Sequence, residues 1–254
     1  MGTPGGATGG TTLARMLETF GARPASAAPY GTLPYVDGLL HSFSDAFAAR
    51  YADMGGETSA PLAEPIGTST THLTAADGDG LIVSCTQTLL AAFGSRVTVP
   101  GTGILLNDGM YWFDPRPGQA NSIGAAKRPL NNMTPLVAVG PGGWPRVGLG
   151  SSGGRRIVSA NAQMLLATID GGLTLDAALS APRVDASGDQ VLADVRLDPR
   201  LLEDLRERGW DVLAVEESPV PRHFASPTGV AAYADGRQAG AADRLMPAAA
   251  LARE

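Results

Sequence analysis

The sequence predicts a layered α+β domain whose strands pair mainly antiparallel, and three observations carry that expectation. Strand-like segments come in runs instead of alternating strictly with helices, which disfavours a doubly wound sheet. Asp77-Gly78-Asp79-Gly80 sits between two strand-like stretches, a strong hairpin signal. Helical periodicity is confined to a few amphipathic stretches, chiefly residues 35–51 and 156–170.

In chain order, residues 2–12 read as a Gly/Thr loop leading into the apolar-periodic Leu13-Ala14-Arg15-Met16-Leu17. That is an internal loop-to-helix junction, so further sequence is expected upstream. The segment GGATGGTT is glycine-rich, but it lacks the Gly-Lys-Ser/Thr ending of a phosphate loop and follows no apolar strand. Leu39, Leu40, Phe43, Phe47 and Ala48 fall at helical spacing within residues 35–51, with Asp37 as the expected start and Gly55-Gly56 beyond the end. Residues 56–69 are polar and contain proline, as suits a connection that stays accessible. From Thr70 the pattern turns to strand, hairpin and strand. A Gly/Pro-rich stretch at 94–103, the run Ile104-Leu105-Leu106 and an irregular segment 107–128 follow. Residues 136–139 and 146–149 make a second candidate strand pair. Gly150-Ser151-Ser152-Gly153-Gly154 then opens a helix of about four turns over 156–170. The tail offers a helix at 199–208 and short strands near Val212, 229–233 and 238–240.

Composition limits the function classes. The 254 residues suffice for a real buried core, and 44% hydrophobic with 17% charged residues is ordinary for a globular chain. A formal net charge of -6 argues against a nucleic-acid partner, which needs a basic footprint. No run is long enough to span a bilayer, and the first residues have neither the basic start nor the apolar stretch of a signal peptide. The lone Cys85 makes no internal disulfide, so the compartment stays open. His41, His72 and His223 with that one cysteine give no metal-ligand spacing and no triad pattern, so neither metal nor cofactor is expected.

Thr70-Thr71-His72 by itself merely suits a strand. A threonine becomes a competent nucleophile when the peptide bond before it is broken, because its own α-amine then serves as the base for its hydroxyl. Gly153-Gly154, just ahead of a helix, offers two backbone N–H groups where oxyanion donors collect, although a tight turn explains the pair equally well.

Taken together the motifs are more specific. Thr70-Thr71-His72, the Asp77–Gly80 hairpin, Thr86-x-Thr88, Phe93-Gly94, Gly103-Ile104-Leu105-Leu106-Asn107, Lys127-Arg128-Pro129-Leu130, Gly153-Gly154-x-Arg156-Ile157 and Ala181-Pro182-Arg183 occur in one order. In that order and spacing they resemble the small subunit of the gamma-glutamyltransferase family, from Thr70 to about Pro247. Residues 5–68 resemble, more weakly, the end of its large subunit. The resemblance implies an N-terminal-nucleophile hydrolase with a four-layer αββα sandwich, incomplete in this chain, divided into a 1–69 large-subunit remnant and a 70–254 catalytic domain. It implies self-cleavage between Ser69 and Thr70, an acyl-enzyme on Thr70, an orienting hydroxyl from Thr88, and an oxyanion hole from Gly153 and Gly154.

The chain departs from that family where substrate is held. Leu90 stands in place of an asparagine, Gly109 and Trp112 replace a glutamine and an aspartate, and Asn131-Asn132 replaces a serine pair. Loss of the aspartate leaves an incoming ammonium without a counter-charge, and Leu90 with Trp112 is expected to form an apolar wall. The segment from Met110 to Pro115 resembles the acylase-like branch of the family. The expected substrate is a small-molecule amide, either a gamma-glutamyl compound such as glutathione or a non-glutamyl amide, with a separate N-terminal segment as the expected partner. The alternative is a non-catalytic remnant, or a subunit that works only beside a separately made N-terminal half.

Overall fold

The computed structural model describes residues 8–54, 69–219, 222–245 and 250. The polar, proline-containing stretch 56–68 and Gly55-Gly56 therefore lie outside the described residues.

Two helices open the chain. Helix α1 spans Thr8–Gly21 and buries Leu13, Met16 and Phe20, one apolar face at a helical period. Helix α2 spans Leu33–Met54 and buries Val36, Leu39, Leu40, Phe43 and Phe47 against it. Two expectations need correction. The helix begins inside the glycine-rich stretch read as a loop, because Gly9 packs on the backbone of Asn132 and Met133 so closely that a Cβ would lie 2.8 Å from their atoms. That close approach, invisible to local propensity, outweighs the helix-weakening effect of glycine. Asp37 does not start α2. It lies within the helix, accepts a hydrogen bond from Trp210 Nε1 at 2.8 Å and pairs with Arg208 at 2.9 Å.

The hairpin is present as read. Strand β1 (Thr70–Ala76) pairs antiparallel with β2 (Ile82–Thr88), so that Thr70 faces Thr88 and His72 faces Thr86. Asp77 Oδ1 closes the turn by accepting from the N–H groups of Asp79 and Leu81. A second sheet follows: β3 (Leu136–Val139), β4 (Arg146–Ser152), β8 (Ser226–Ala232) and β9 (Gln238–Ala242), all antiparallel in the order β3-β4-β8-β9. Between them in sequence lie α3 (Arg156–Ile169), α4 (Leu175–Ser180) and α5 (Pro199–Glu207). A small third sheet joins β5 (Val184–Asp185), β6 (Val191–Asp194) and β7 (Val212–Val215), with β6 and β7 parallel.

The β1-β2 hairpin stacks face to face on the four-stranded sheet, and glycines in β4 make the approach possible. A Cβ on Gly148 would lie 2.5 Å from the Ile82 side chain, and one on Gly150 only 2.1 Å from the His72 ring. The opposite face of the four-stranded sheet is covered by α3 and α4, and α1, α2 and α5 complete the core beyond them. Helix, sheet and sheet are three layers of an αββα sandwich. The outer face of the hairpin carries Leu73, Leu81 and Val83, exposed at 45%, 63% and 52%. No helix among the described residues is long and apolar enough to cross a membrane.

Candidate active site

The site grows from the first turn of pairing in the hairpin. Thr70 opens β1 and Thr88 closes β2, so antiparallel register puts the two residues opposite each other. Their hydroxyls are hydrogen-bonded, Thr70 Oγ1 donating to Thr88 Oγ1 at 3.0 Å. Thr88 Oγ1 also accepts from the Leu90 N–H at 2.9 Å, which fixes its position from the far side. To make that bond the chain holds Leu90 at φ 71°, a left-handed conformation that costs a residue with a Cβ about 1–2 kcal/mol. Strain of this kind concentrates where geometry is over-determined by neighbours.

Two residues along the same face of β1, the buried His72 ring lies on Gly150, with Nδ1 2.8 Å from Thr86 Oγ1. Burial pushes its pKa down to about 4, so the ring is neutral at physiological pH. Thr74 over Gly148 and His72 over Gly150 advance by two residues on each strand. One further step of the pleat carries Thr70 to the level of Ser152, next to Gly153.

The glycine turn is tightly specified. Gly153 has φ 145°, and a Cβ there would lie 2.6 Å from Ala225 Cα; Gly154 has φ 60° and open space around it. Neither N–H donates to a protein acceptor among the described residues, and both precede α3. The segment behind the turn is held by charge. Glu217 Oε2 accepts from the N–H groups of His223 and Phe224 at 2.9 and 3.0 Å, and Arg156 Nη1 donates to the His223 carbonyl at 2.7 Å. Arg222 reaches both Glu217, at 2.8 Å with an angle too poor for a hydrogen bond, and Asp243. Sequence reasoning missed this support, since its members are scattered over 87 positions between Arg156 and Asp243.

A cleft of about 730 Å³ adjoins the threonine pair, lined by Thr71, Thr88, Leu89, the Ile104-Leu105-Leu106 run, Trp112 and Met133, among others. Trp112 is among the residues that line it. Leu89 supplies the neighbouring aliphatic surface, while Leu90 contributes its backbone N–H to Thr88. The Asn131-Asn132 pair bonds inward. The Asn131 carbonyl accepts from Thr8 Oγ1 at 2.7 Å and from Arg50 Nη2 at 2.8 Å, and Asn132 Oδ1 accepts from the same Nη2 at 2.8 Å. Asn131 Oδ1 is buried and receives no hydrogen bond. A separate apolar cavity of about 310 Å³ lies between α2, α3 and α5, lined by Tyr30, Val36, Leu166 and Leu201 among others.

The family model for gamma-glutamyltranspeptidase matches residues 37–245. The chain belongs to the gamma-glutamyltranspeptidase family. It is 37% identical over 173 residues to the acylase ACY 1 proenzyme of Pseudomonas sp. (strain V22), covering 68% of this chain and 30% of that proenzyme. It is 41% identical over 115 residues to the glutathione hydrolase proenzyme of Bacillus subtilis (strain 168), covering 45% of this chain and 19% of that one. The chain thus spans less than a third of the length of either relative. Among solved structures it is similar to the gamma-glutamyltranspeptidase of Pseudomonas nitroreducens complexed with L-DON, at 28% identity and a TM-score of 0.60 over 72% of this chain and 100% of that one. The cephalosporin acylase of Bacillus halodurans shares the fold at 21% identity and a TM-score of 0.68, covering 93% of this chain and 48% of that one. This family member therefore has the N-terminal-nucleophile hydrolase fold.

Proposed function

We propose that this chain carries the catalytic half of an amide hydrolase or acyltransferase, self-cleaved between Ser69 and Thr70 and acting through Thr70. The observation that carries the reading is the 3.0 Å hydrogen bond between Thr70 and Thr88 beside an open cleft. After cleavage the Thr70 α-amine takes the hydroxyl proton, and Oγ1 attacks the substrate carbonyl. The oxyanion is received by the N–H groups of Gly153 and Gly154. The C–N bond breaks as the protonated α-amine returns its proton to the leaving amine, leaving an ester on Thr70. Water then releases the acid, or a second amine takes the acyl group. Trp112 in the cleft gives no counter-charge to a substrate ammonium, which favours a non-glutamyl acyl group over a gamma-glutamyl one.

Intact-mass analysis after incubation of the purified chain, beside Thr70→Ala, tests this. Fragments 1–69 and 70–254 from the parent alone are the expected result. A single uncut chain in both samples would sink unaided maturation. A second reading, a subunit that matures only beside a separate N-terminal half, draws support from the exposed Leu73, Leu81 and Val83 on the hairpin's outer face. Cleavage restored by adding such a segment in trans would favour it.

A further inference from the structure

The apolar cavity between α2, α3 and α5 has no part in the reaction proposed above, and it shares no lining residue with the cleft beside the threonine pair. Its volume of about 310 Å³ exceeds an ordinary packing fault, since protein interiors leave few voids larger than a water molecule. A dry apolar cavity of about 150 Å³ already admits benzene. Ordered water suits this one poorly, because each water needs two or more polar partners and the wall is mostly hydrocarbon. Val36 and Leu39 of α2, Leu166 of α3, Val184 of β5 and Leu201 of α5 supply that wall.

The polar side chains around the cavity are nearly all engaged. Gln163 Nε2 donates to the Ser159 and Val184 carbonyls at 3.0 and 2.7 Å, and its Oε1 accepts from the Val184 N–H at 2.9 Å. The Tyr35 hydroxyl donates to Asp170 at 3.3 Å. Arg196 is held by Asp194 and by the Ser180 carbonyl. Tyr30 is the exception. Its ring meets Tyr35 edge-on, and its hydroxyl has no hydrogen-bond partner among the described residues. Burial, opposed by the nearby charge of Arg183, raises its pKa, so Tyr30 is a neutral phenol that can both donate and accept.

That inventory limits what the cavity can hold. An anion would lose its hydration without finding a free cation, since Arg196 is already paired with Asp194. The carboxylate of Asp198 is exposed and accepts from the Arg200 N–H at the start of α5. We infer that the cavity is a second, non-catalytic binding site, for a small neutral aromatic or alicyclic molecule whose single polar group bonds to Tyr30. Its walls come from both sides of Thr70 in the chain, α2 before it and α3 with α5 after it. A ligand there ties the two parts together without touching the threonine pair, and its binding does not rest on the function proposed above.

The test is fluorescence titration of the full chain with 2-naphthol and with naphthalene, which differ by the hydroxyl. 2-Naphthol is expected to bind about fivefold more tightly, the scale of one neutral hydrogen bond. Tyr30→Phe should bring that ratio to near unity, and Leu166→Trp, which fills the cavity, should abolish binding of both. Thermal unfolding confirms that each variant is folded. Val36→Phe fills the cavity from the opposite wall if Leu166→Trp does not fold, and Tyr30→Phe, which removes a single oxygen, decides the matter if neither does. No binding, equal binding of the two ligands by the parent, or a ratio unchanged in Tyr30→Phe would overturn the inference. So would undiminished binding in a folded, filled variant, or tighter binding of 2-naphthoate or of 2-naphthylmethylammonium. Thr70→Ala should bind 2-naphthol as the parent does, so this result and the self-cleavage assay fail independently.

Discussion

At the residue scale, the hydroxyl pair and the histidine beneath it owe their properties to burial. Thr70 and Thr88 are aligned by register, and Leu90 is held in a left-handed conformation so that its N–H can fix the second hydroxyl. His72 is the titratable member of this layer. Its pKa falls from 6.5 to about 4 because the charged ring would lose its hydration on Gly150. The unfolded chain therefore binds a proton that the folded one does not between those values. The contribution is fully present above pH 6.5 and is lost as pH falls toward 4, at most about 3 kcal/mol across the window. Urea midpoints at pH 4.5 and 7.5 should show that decline, and His72→Gln should flatten it. An equal slope in the variant would assign the acid sensitivity elsewhere, for instance to Asp243, whose pKa is lowered overall: burial opposes that fall, and the hydrogen bond from Arg222 drives it.

At the element scale, the turn between β4 and α3 is the part most tightly determined by its surroundings. Gly153 needs both a positive φ and the absence of a Cβ, because Ala225 is already in the way. Gly154 needs only the backbone freedom. Gly153→Ala should cost roughly 1–3 kcal/mol by overpacking in addition to its φ penalty, and Gly154→Ala about 1 kcal/mol. Urea unfolding of the two variants side by side measures the difference, and equal losses would show that Ala225 yields readily. The resistance of Ala225 comes from the ionic cluster at Glu217, Arg222 and Asp243, which ties residues 222–225 down from behind.

At the scale of the whole molecule, one sheet is covered by helices and the other is not. The hairpin buries one face on β4 and leaves Leu73, Leu81 and Val83 on the other. Apolar surface of that kind usually belongs to an interface. Val83→Lys should leave the chain's stability within about 0.5 kcal/mol of the parent, as a surface change does, while lowering self-association in sedimentation velocity. Unchanged association would locate the sticky surface elsewhere. The same substitution should weaken any complementation by an N-terminal segment.

Much of this was legible along the chain. The Asp77-Gly78-Asp79-Gly80 turn signal between two strand-like stretches marked the hairpin, and helical spacing of apolar residues marked α2, because each pattern is local and lies within one element. The motif order put Thr70, Thr88, Gly153 and Gly154 forward as one candidate site through family resemblance. Short elements such as α4, β5 and β6 carried too few repeats to be read. Arg50 left a signal that went unused. It continues the apolar face of Phe43 and Phe47 at helical spacing, where a charge is out of place.

By itself, then, the sequence determined the fold class and the family, and it put Thr70 forward as the candidate nucleophile. Only the tertiary structure decided that helix α1 begins among glycines, that Asp37 serves Trp210 and not a helix cap, and that the buried Arg50 stands behind Asn132. The physical reason is the same in each case. Propensity and periodicity act between near neighbours in the chain, whereas a close backbone approach or a buried charge is set by partners some 80 to 170 residues away, whose meeting only the packed core enforces.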